Sequence, residues 1–229
     1  SLRFSNGGLA GTPLQPLLKQ LGQGLDRAAS DVSGSARLSF ANEKGRTEMA
    51  LSQLDVQSAS GARLQDRGRG EMRYAMTPQR ARWSVDGQWQ LRGGGLPSAD
   101  VALQRGANAR LQGRVAMQPY QAGGAMLAIP DLRLSGNAAG DISFQSQALV
   151  SGPLAGGRID GAVVPLKGRY SAQGQLAMDG GCHRVQAQSL AISGYHLSQP
   201  QVQLCSAAGR DLLRYDGKGL SGQIIVPSL

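Results

Sequence analysis

The strongest constraint on the fold of this 229-residue chain is an alternation of apolar and polar residues with a period of two. It begins at Ala36, where Leu38 and Phe40 alternate with Arg37 and Ser39. Turn clusters separate the alternating runs, at residues 42–45, 86–87, 93–95, 123–124, 136–137, 156–157 and 179–181. Short strands with one apolar face, divided by glycine turns, are typical of antiparallel sheets. The pattern therefore predicts an all-β chain.

Residues 13–30 differ from the rest because their apolar residues recur at spacings of three and four, which places them on one helical stripe. The stripe consists of Leu14, Leu17, Leu18, Leu21, Leu25, Ala28 and Ala29. We expect one short amphipathic helix here, which Thr12 can cap and Pro13 can begin. The favoured role is to cover a face or an edge of the sheet. The alternative is a helix on a membrane surface, for which Lys19 and Arg27 provide few cations.

The change of period divides the chain into three segments. Residues 1–35 form an N-terminal segment with the helix at about 13–30, and residues 36–181 form a repetitive antiparallel β-groove. Residues 182–229 form a disulfide-closed hairpin and terminal strands that continue the groove. No apolar run approaches the ~18 residues of a membrane-spanning helix. The sequence opens at Ser1 without a basic and apolar leader, so we expect a piece of a longer polypeptide with its targeting signal upstream.

The net charge of +9 comes mainly from arginine, and one stretch is denser than the others. It contains Arg63, Arg67, Arg69, Arg73, Arg80 and Arg82, with Tyr74 and Trp83 between or beside them. Nucleic-acid modules combine clustered cations with stacking aromatics, so this partner is the alternative. Because no recognised motif frames these residues, a solvated outer face is the favoured interpretation, without a nucleic-acid partner.

The two cysteines predict a disulfide. If residues 182–205 fold about Ser193-Gly194, paired positions sum to 387, and Cys182 lies opposite Cys205. The same register pairs Ile192 with Tyr195 and Val185 with Val202, with a bulge or bend near 188–189 and 198–199. Closing a loop of this size contributes ~3 kcal/mol in the chain-entropy model, and the bridge implies an oxidising compartment. Two free buried thiols are the alternative.

Residues for catalysis or metal binding are sparse. His183 and His196 with the two cysteines are the whole set of soft ligands, and the hairpin register keeps them apart, so we expect no metal and no cofactor. Residues 217–222 match Gly-x-Gly-x-x-Gly, but a strand pattern follows them instead of the helix that a dinucleotide site needs. The aspartates mark turns and strand ends. We therefore expect that the protein is not an enzyme.

The apolar positions of the strands predict a face that the chain does not fill by itself. A compact sandwich fills its centre with bulky, mostly aromatic side chains, whereas this chain has three Phe and two Trp. We predict an elongated, curved sheet whose apolar face needs a cover, either acyl chains or more of a longer protein, with ordinary core packing as the alternative at each position. The candidate lining residues are Leu38, Phe40, Met72, Tyr74, Met76, Trp83, Val85, Trp89, Leu91, Val101, Leu103, Val115, Met117, Leu132, Leu134, Ile142, Phe144, Leu176 and Met178.

Seven segments in order carry a resemblance to a known family: residues 11–21, 31–38, 54–64, 91–97, 118–128, 149–161 and 182–206. Together they resemble the middle of the YdbH-like proteins in their alphaproteobacterial form, within the AsmA-like group that includes TamB and YhdP. The resemblance implies a periplasmic protein anchored in the inner membrane, with a taco-shaped β-sheet that carries phospholipid acyl chains towards the outer membrane. It also implies cooperation with a small outer-membrane lipoprotein. The alternative function is a structural or adhesive periplasmic or surface β-domain that carries no lipid.

Overall fold

The fold was analysed in a computed structural model that describes residues 2–4, 12–43, 45–68, 70–106, 110–137, 139–207 and 209–225. Within these residues the chain forms one helix and antiparallel strands, which confirms the predicted all-β fold with a short N-terminal helix. Gly11, Lys44, Arg69 and Val226, which the predictions above include, lie outside the described residues. The helix is α1 (Leu14–Ala28), close to the range expected from its period.

The strands follow in chain order. The first nine are β1 (Leu2–Phe4), β2 (Val32–Glu43), β3 (Arg46–Ser58), β4 (Arg63–Asp66), β5 (Glu71–Thr77), β6 (Arg80–Arg92), β7 (Ala99–Arg105), β8 (Leu111–Ala122) and β9 (Ala125–Gly136). The others are β10 (Ile142–Leu154), β11 (Gly157–Tyr170), β12 (Leu176–Met178), β13 (Cys182–Gln186), β14 (Ser189–Ile192), β15 (Tyr195–Ser198), β16 (Gln201–Ser206), β17 (Leu213–Tyr215) and β18 (Leu220–Ile225).

The chain divides into two compact units. We call Gln20–Gln118 with Arg133–Gly136 the early unit, and Ser1–Lys19, Pro119–Leu132 and Asn137–Leu229 the late unit.

In the early unit, β2 pairs with β3, and β3 pairs along its length first with β5 and then with β4. Both short strands pair in turn with β6, which continues through β7 to β8. A register shift between Ser35 and Arg37 lies opposite Gln53, whose φ is 54°. Across this shift β3 has one more residue than β2. The extra residue keeps the apolar positions on one face on both sides of the irregularity.

One predicted turn is wrong. Asp86 and Gly87 lie inside β6, which runs without interruption from Arg80 to Arg92. A Cβ atom at Gly87 would lie 2.6 Å from the Trp89 ring and 2.7 Å from the Cα atom of Gly70. Glycine is therefore present to give the indole ring room beside the neighbouring backbone, and not to turn the chain.

In the late unit, β10 and β11 form a long ladder, and β11 continues to β12, which pairs with β17 and through it with β18. The hairpin from Cys182 to Cys205 has the predicted register, because Val185 pairs with Val202 and Ile192 with Tyr195. The predicted irregularity is present as well, since β13 ends at Gln186 and Gln199 has a φ of 50°. The disulfide between Cys182 and Cys205 is confirmed.

The late unit contains a packed cluster around this hairpin. Ala162 on β11 and Val185 on β13 are buried together with Ala187. Val150, Ile159, Val164 and Leu204 pack against them. These larger side chains surround the small central ones, so this part of the apolar face is covered by the protein itself.

The helix buries less of its leucine stripe than its period suggests. Leu17 is buried, whereas Leu18 and Leu25 are about half exposed. Gly24 is buried instead, and a Cβ atom there would lie 3.0 Å from Leu96 Cδ2. Close approach at a glycine thus replaces a leucine contact on this part of the helix.

Candidate functional site: an exposed apolar surface

Two rows of side chains cross the strands of the early unit on one face. Residues that are directly opposite in an antiparallel pair point to the same side of a sheet. The first row, through β2, β3, β5 and β6, is Phe40, Met49, Tyr74 and Trp83. The second row, which extends to β7, is Leu38, Leu51, Met72, Val85 and Arg105. The register therefore brings large apolar side chains from four neighbouring, hydrogen-bonded strands (β2, β3, β5 and β6) into one continuous surface.

Most of these side chains are exposed to solvent. We define the apolar surface as the six of them that are at least one third exposed, together with Met76 in the adjacent row on the same face: Leu38, Phe40, Met49, Met72, Tyr74, Trp83 and Met76. Their exposed fractions range from 37% at Met72 to 66% at Phe40. Single exposed apolar residues are common on proteins, whereas a contiguous group marks an interaction surface. The apolar surface is therefore the candidate functional site.

The opposite face of the same strands is polar and charged. Arg73 on β5 forms an ion pair with Glu71 at 2.8 Å, and Arg46 pairs with Glu48 across the start of β3. Arg63 binds the Asp55 carboxylate through both Nε and Nη2, and this hydrogen bonding lowers the pKa of Asp55. Exposed pairs of this kind contribute little stability, and they keep this side of the sheet hydrated.

Within β5 and β6, the arginines and the aromatic residues of the dense arginine stretch lie on opposite faces. Tyr74 and Trp83 lie on the apolar surface, whereas Arg73 and Arg82 alternate with them and point to the other side. These two aromatics and these two arginines therefore do not share one surface, as stacking residues and cations do in single-strand nucleic-acid sites. This placement favours the outer-face interpretation of the arginines.

The predicted lining residues fall into three classes of exposure. Leu38, Phe40, Met72, Tyr74, Met76 and Trp83 are exposed and belong to the apolar surface. Val85 and Trp89 are buried, at 5% and 6% exposure. The remaining candidates are half-buried: Leu91, Val101, Leu103, Val115, Met117, Leu132, Leu134, Ile142, Phe144, Leu176 and Met178. The exposed class lies entirely in β2, β5 and β6.

The half-buried candidates belong to separate groups. In the early unit Val101 pairs with Val115, and Leu103 lies beside Gly113, close to Leu134. In the late unit Ile142 and Leu176 share a row through Tyr170, and Phe144 and Met178 share the next one through Gly168. The register places each of these groups on one face of its own strands.

Three residues of the two rows, Met49, Leu51 and Arg105, are not among the residues predicted from the sequence. Met49 and Leu51 alternate with Ala50 and Ser52 in the same period of two, so the pattern that found β2 could have found them. Arg105 has no such signal, because an arginine at the end of a strand is normally assigned to the solvent side. It is on this face because it pairs with Val85.

His183 and Asp141 of the late unit form local hydrogen bonds. His183 Nε2 lies 3.1 Å from the carbonyl oxygen of Asp179. Across the residues that the structure describes, no group of three or more His, Cys, Asp and Glu side chains is arranged to hold a metal ion. The pKa of Asp141 is lowered by hydrogen bonds from the Asn137 side chain and the Ala172 amide, and these bonds organise a turn.

The fold and the site together define an antiparallel β protein with a one-sided, solvent-exposed apolar surface. In the described part of the chain, no helix has the length and apolarity needed to span a membrane. Comparisons with protein-family models, with curated proteins and with solved structures find no match to this chain.

Proposed function

We propose that this chain is a segment of a periplasmic, bridge-like lipid transfer protein. Its apolar surface shields phospholipid acyl chains as they move between the inner and outer membranes. The observation that carries the proposal is the contiguous exposure of seven large apolar side chains on one face of hydrogen-bonded strands. Such a surface is unfavourable in water, at ~25 cal/mol for each Å² exposed, unless an apolar partner covers it.

The dimensions of the surface suit one acyl chain. The apolar residues of each row cross four strands, and three spacings of about 4.8 Å give a length of about 14 Å. A bilayer core about 30 Å thick contains two leaflets, so one acyl chain spans about 15 Å. A single chain laid across the strands along a row would therefore be covered over most of its length.

The side-chain types also suit a partner without a fixed shape. Three of the seven residues are methionines, at positions 49, 72 and 76. Methionine is unbranched and polarizable, and it is frequent on surfaces that accept varied apolar ligands. Mobile acyl chains of different length or unsaturation are ligands of that kind. This surface binds and shields, and no catalytic role is proposed for it.

The disulfide supports the proposed compartment. A bridge between Cys182 and Cys205 fits an oxidising environment. The periplasm is such an environment, and it lies between the two membranes that the proposal connects. Membership of the YdbH-like proteins, an inner-membrane anchor and a small outer-membrane lipoprotein as partner are parts of the same proposal.

Lipid extraction from protein purified without detergent tests the proposal. We expect phospholipid to copurify with the wild-type chain and to fall several-fold in the double variant Phe40→Glu/Met72→Glu, because each change places a charge on the apolar surface. The matched control is Ser39→Glu/Ala75→Glu, which adds the same two charges to the opposite face of β2 and β5 and should leave the lipid content unchanged. Wild-type protein that purifies without lipid would instead favour the scaffold or adhesive function.

A further inference from the structure

One cation faces the apolar surface. Arg105, the last residue of β7, pairs with Val85 and so ends the second row. Among the described positions that the register places on this face of β5 to β8, Arg105 is the only charged one. The arginines of the preceding strands, such as Arg73 and Arg82, lie on the other face. The position of Arg105 is therefore distinct from the general basic character of the chain.

The surroundings of Arg105 hold its guanidinium group in place without neutralising it. Its Cζ atom lies 3.8 Å from the ring centroid of Trp83, in a cation–π contact. Its Nε atom is buried and has no hydrogen-bond partner. Within the described part of the chain, Arg105 forms no ion pair with a carboxylate. The protein thus orients a planar cation beside an apolar surface and leaves its charge and one donor uncompensated.

We propose that Arg105 binds the anionic headgroup of a phospholipid whose acyl chain lies along the rows towards Leu38 and Phe40. This inference rests on the proposed lipid-binding function and adds to it a headgroup site and an orientation. A guanidinium group matches the geometry of phosphate oxygens, and its charge is complementary to theirs. The row spans about 19 Å from Arg105 to Leu38 on the far strand. A headgroup at one end and a chain along the row account for both features together.

A pair of single-chain ligands separates the headgroup from the tail. Lysophosphatidic acid with an oleoyl chain and 1-oleoylglycerol differ by one phosphate group, and isothermal titration calorimetry measures the affinity of each. For the wild-type chain we expect lysophosphatidic acid to bind about tenfold more tightly than 1-oleoylglycerol, the size of effect that charge-assisted hydrogen bonds produce. Arg105→Gln should remove this difference and leave the affinity for 1-oleoylglycerol unchanged.

Two further variants keep the test interpretable. Arg82→Gln removes the same charge from the opposite face of β6, beside Trp83, and should leave both affinities unchanged. Arg105→Lys keeps the charge but loses the planar stacking, so it should retain part of the preference for lysophosphatidic acid. Arg105→Lys also replaces Arg105→Gln in the titrations if the latter does not fold, which far-ultraviolet circular dichroism would reveal.

The possible outcomes distinguish this inference from the function on which it rests. Equal wild-type affinities for the two ligands, or a preference that survives in Arg105→Gln, would overturn the headgroup site but not acyl-chain binding. Failure of both ligands to bind wild-type protein would overturn the proposed function as well. Inorganic phosphate that binds alone as tightly as lysophosphatidic acid would identify an ion site and contradict a lipid headgroup.

Discussion

The apolar surface of the early unit and the packed cluster of the late unit use the same alternating pattern but leave its apolar side in different states. In the early unit, Phe40 and Leu38 are about two thirds exposed, and their neighbours on β3 and β5 are also open to solvent. In the late unit, Ala162 and Val185 are buried within a cluster that the disulfide hairpin helps to form. The same period of two can therefore produce either a packed interior or an open surface.

The two regions differ in the size of their apolar side chains and in how many other side chains pack against them. Apart from Val185, the buried apolar strand residues of the late unit are alanines and one tyrosine, with Ala148 and Ala177 among them. Alanine exposes little apolar area, so the larger side chains around it, such as Val150 and Leu204 beside Ala162, are sufficient to cover it. The apolar surface of the early unit carries Met, Phe, Leu, Tyr and Trp, and these larger side chains stay exposed in the absence of a partner. We infer that this partner is the lipid.

The largest expected effect concerns the crosslink of the late unit. Replacing both cysteines, Cys182→Ser with Cys205→Ser, should reduce the free energy of unfolding by about 3 kcal/mol, because the open loop gains entropy in the unfolded state. Hydrogen exchange measured by mass spectrometry should show faster exchange in β13 and β16 and little change in β5 and β6. Equal acceleration of hydrogen exchange in all four strands would mean that the disulfide stabilises both units and not the late unit alone.

The next effect concerns the interior of β6. Gly87→Ala should destabilise the protein by about 1–3 kcal/mol, because the added methyl group would overlap the Trp89 ring. The change should appear in a denaturant titration followed by tryptophan fluorescence. The matched control is Gly22→Ala on an exposed part of α1, where nothing lies within 4 Å, and which should stabilise by about 1 kcal/mol. Equal effects of the two substitutions would contradict the packing account of Gly87.

A pair of truncations compares the two apolar faces directly. Val185→Ala should cost about 1.5 kcal/mol of stability, since it removes two buried methyl groups from the late cluster. Leu38→Ala should change stability by less than about 0.5 kcal/mol, because the side chain is 63% exposed. Denaturant titration measures both. A large loss for Leu38→Ala would show that this surface is covered by protein in solution.

The smallest effect is a dependence of stability on pH. The pKa of Asp141 is lowered in the folded state, chiefly by the Asn137 side chain and then by the Ala172 amide. Its unfolded pKa is about 3.9, so the unfolded state binds more protons below about pH 5. The stabilisation is present above that range and is lost as the pH falls through the folded pKa. Melting temperatures between pH 6 and pH 2 should therefore fall less steeply for Asp141→Asn than for wild type, and parallel curves would contradict the assignment.

The sequence predicts the fold well where local pattern decides it. Alternation predicts the strands, and the requirement that apolar residues meet across a hairpin predicts the Cys182–Cys205 pairing together with its register. It fails at Asp86-Gly87, because glycine next to aspartate has the composition of a turn, and the need to make room for Trp89 appears only once β6 lies beside Gly70.

The candidate site is less predictable than the strands that carry it. Alternation assigns Phe40 and Val85 to the same class, yet one is exposed and the other is buried, since exposure depends on what long-range packing places above each strand. The position of Arg105 over Trp83 depends on the register between β6 and β7, which no short-range pattern specifies.

Site-specific photocrosslinking in cells that export the protein tests the central claim most directly. A crosslinking amino acid at position 40 lies on the apolar surface, and the same amino acid at position 39 lies on the opposite face of β2. We predict phospholipid adducts, identified by mass spectrometry, at position 40 and none at position 39. Absence of lipid adducts at position 40, or equal capture at both positions, would contradict the claim that this face of the early unit shields acyl chains.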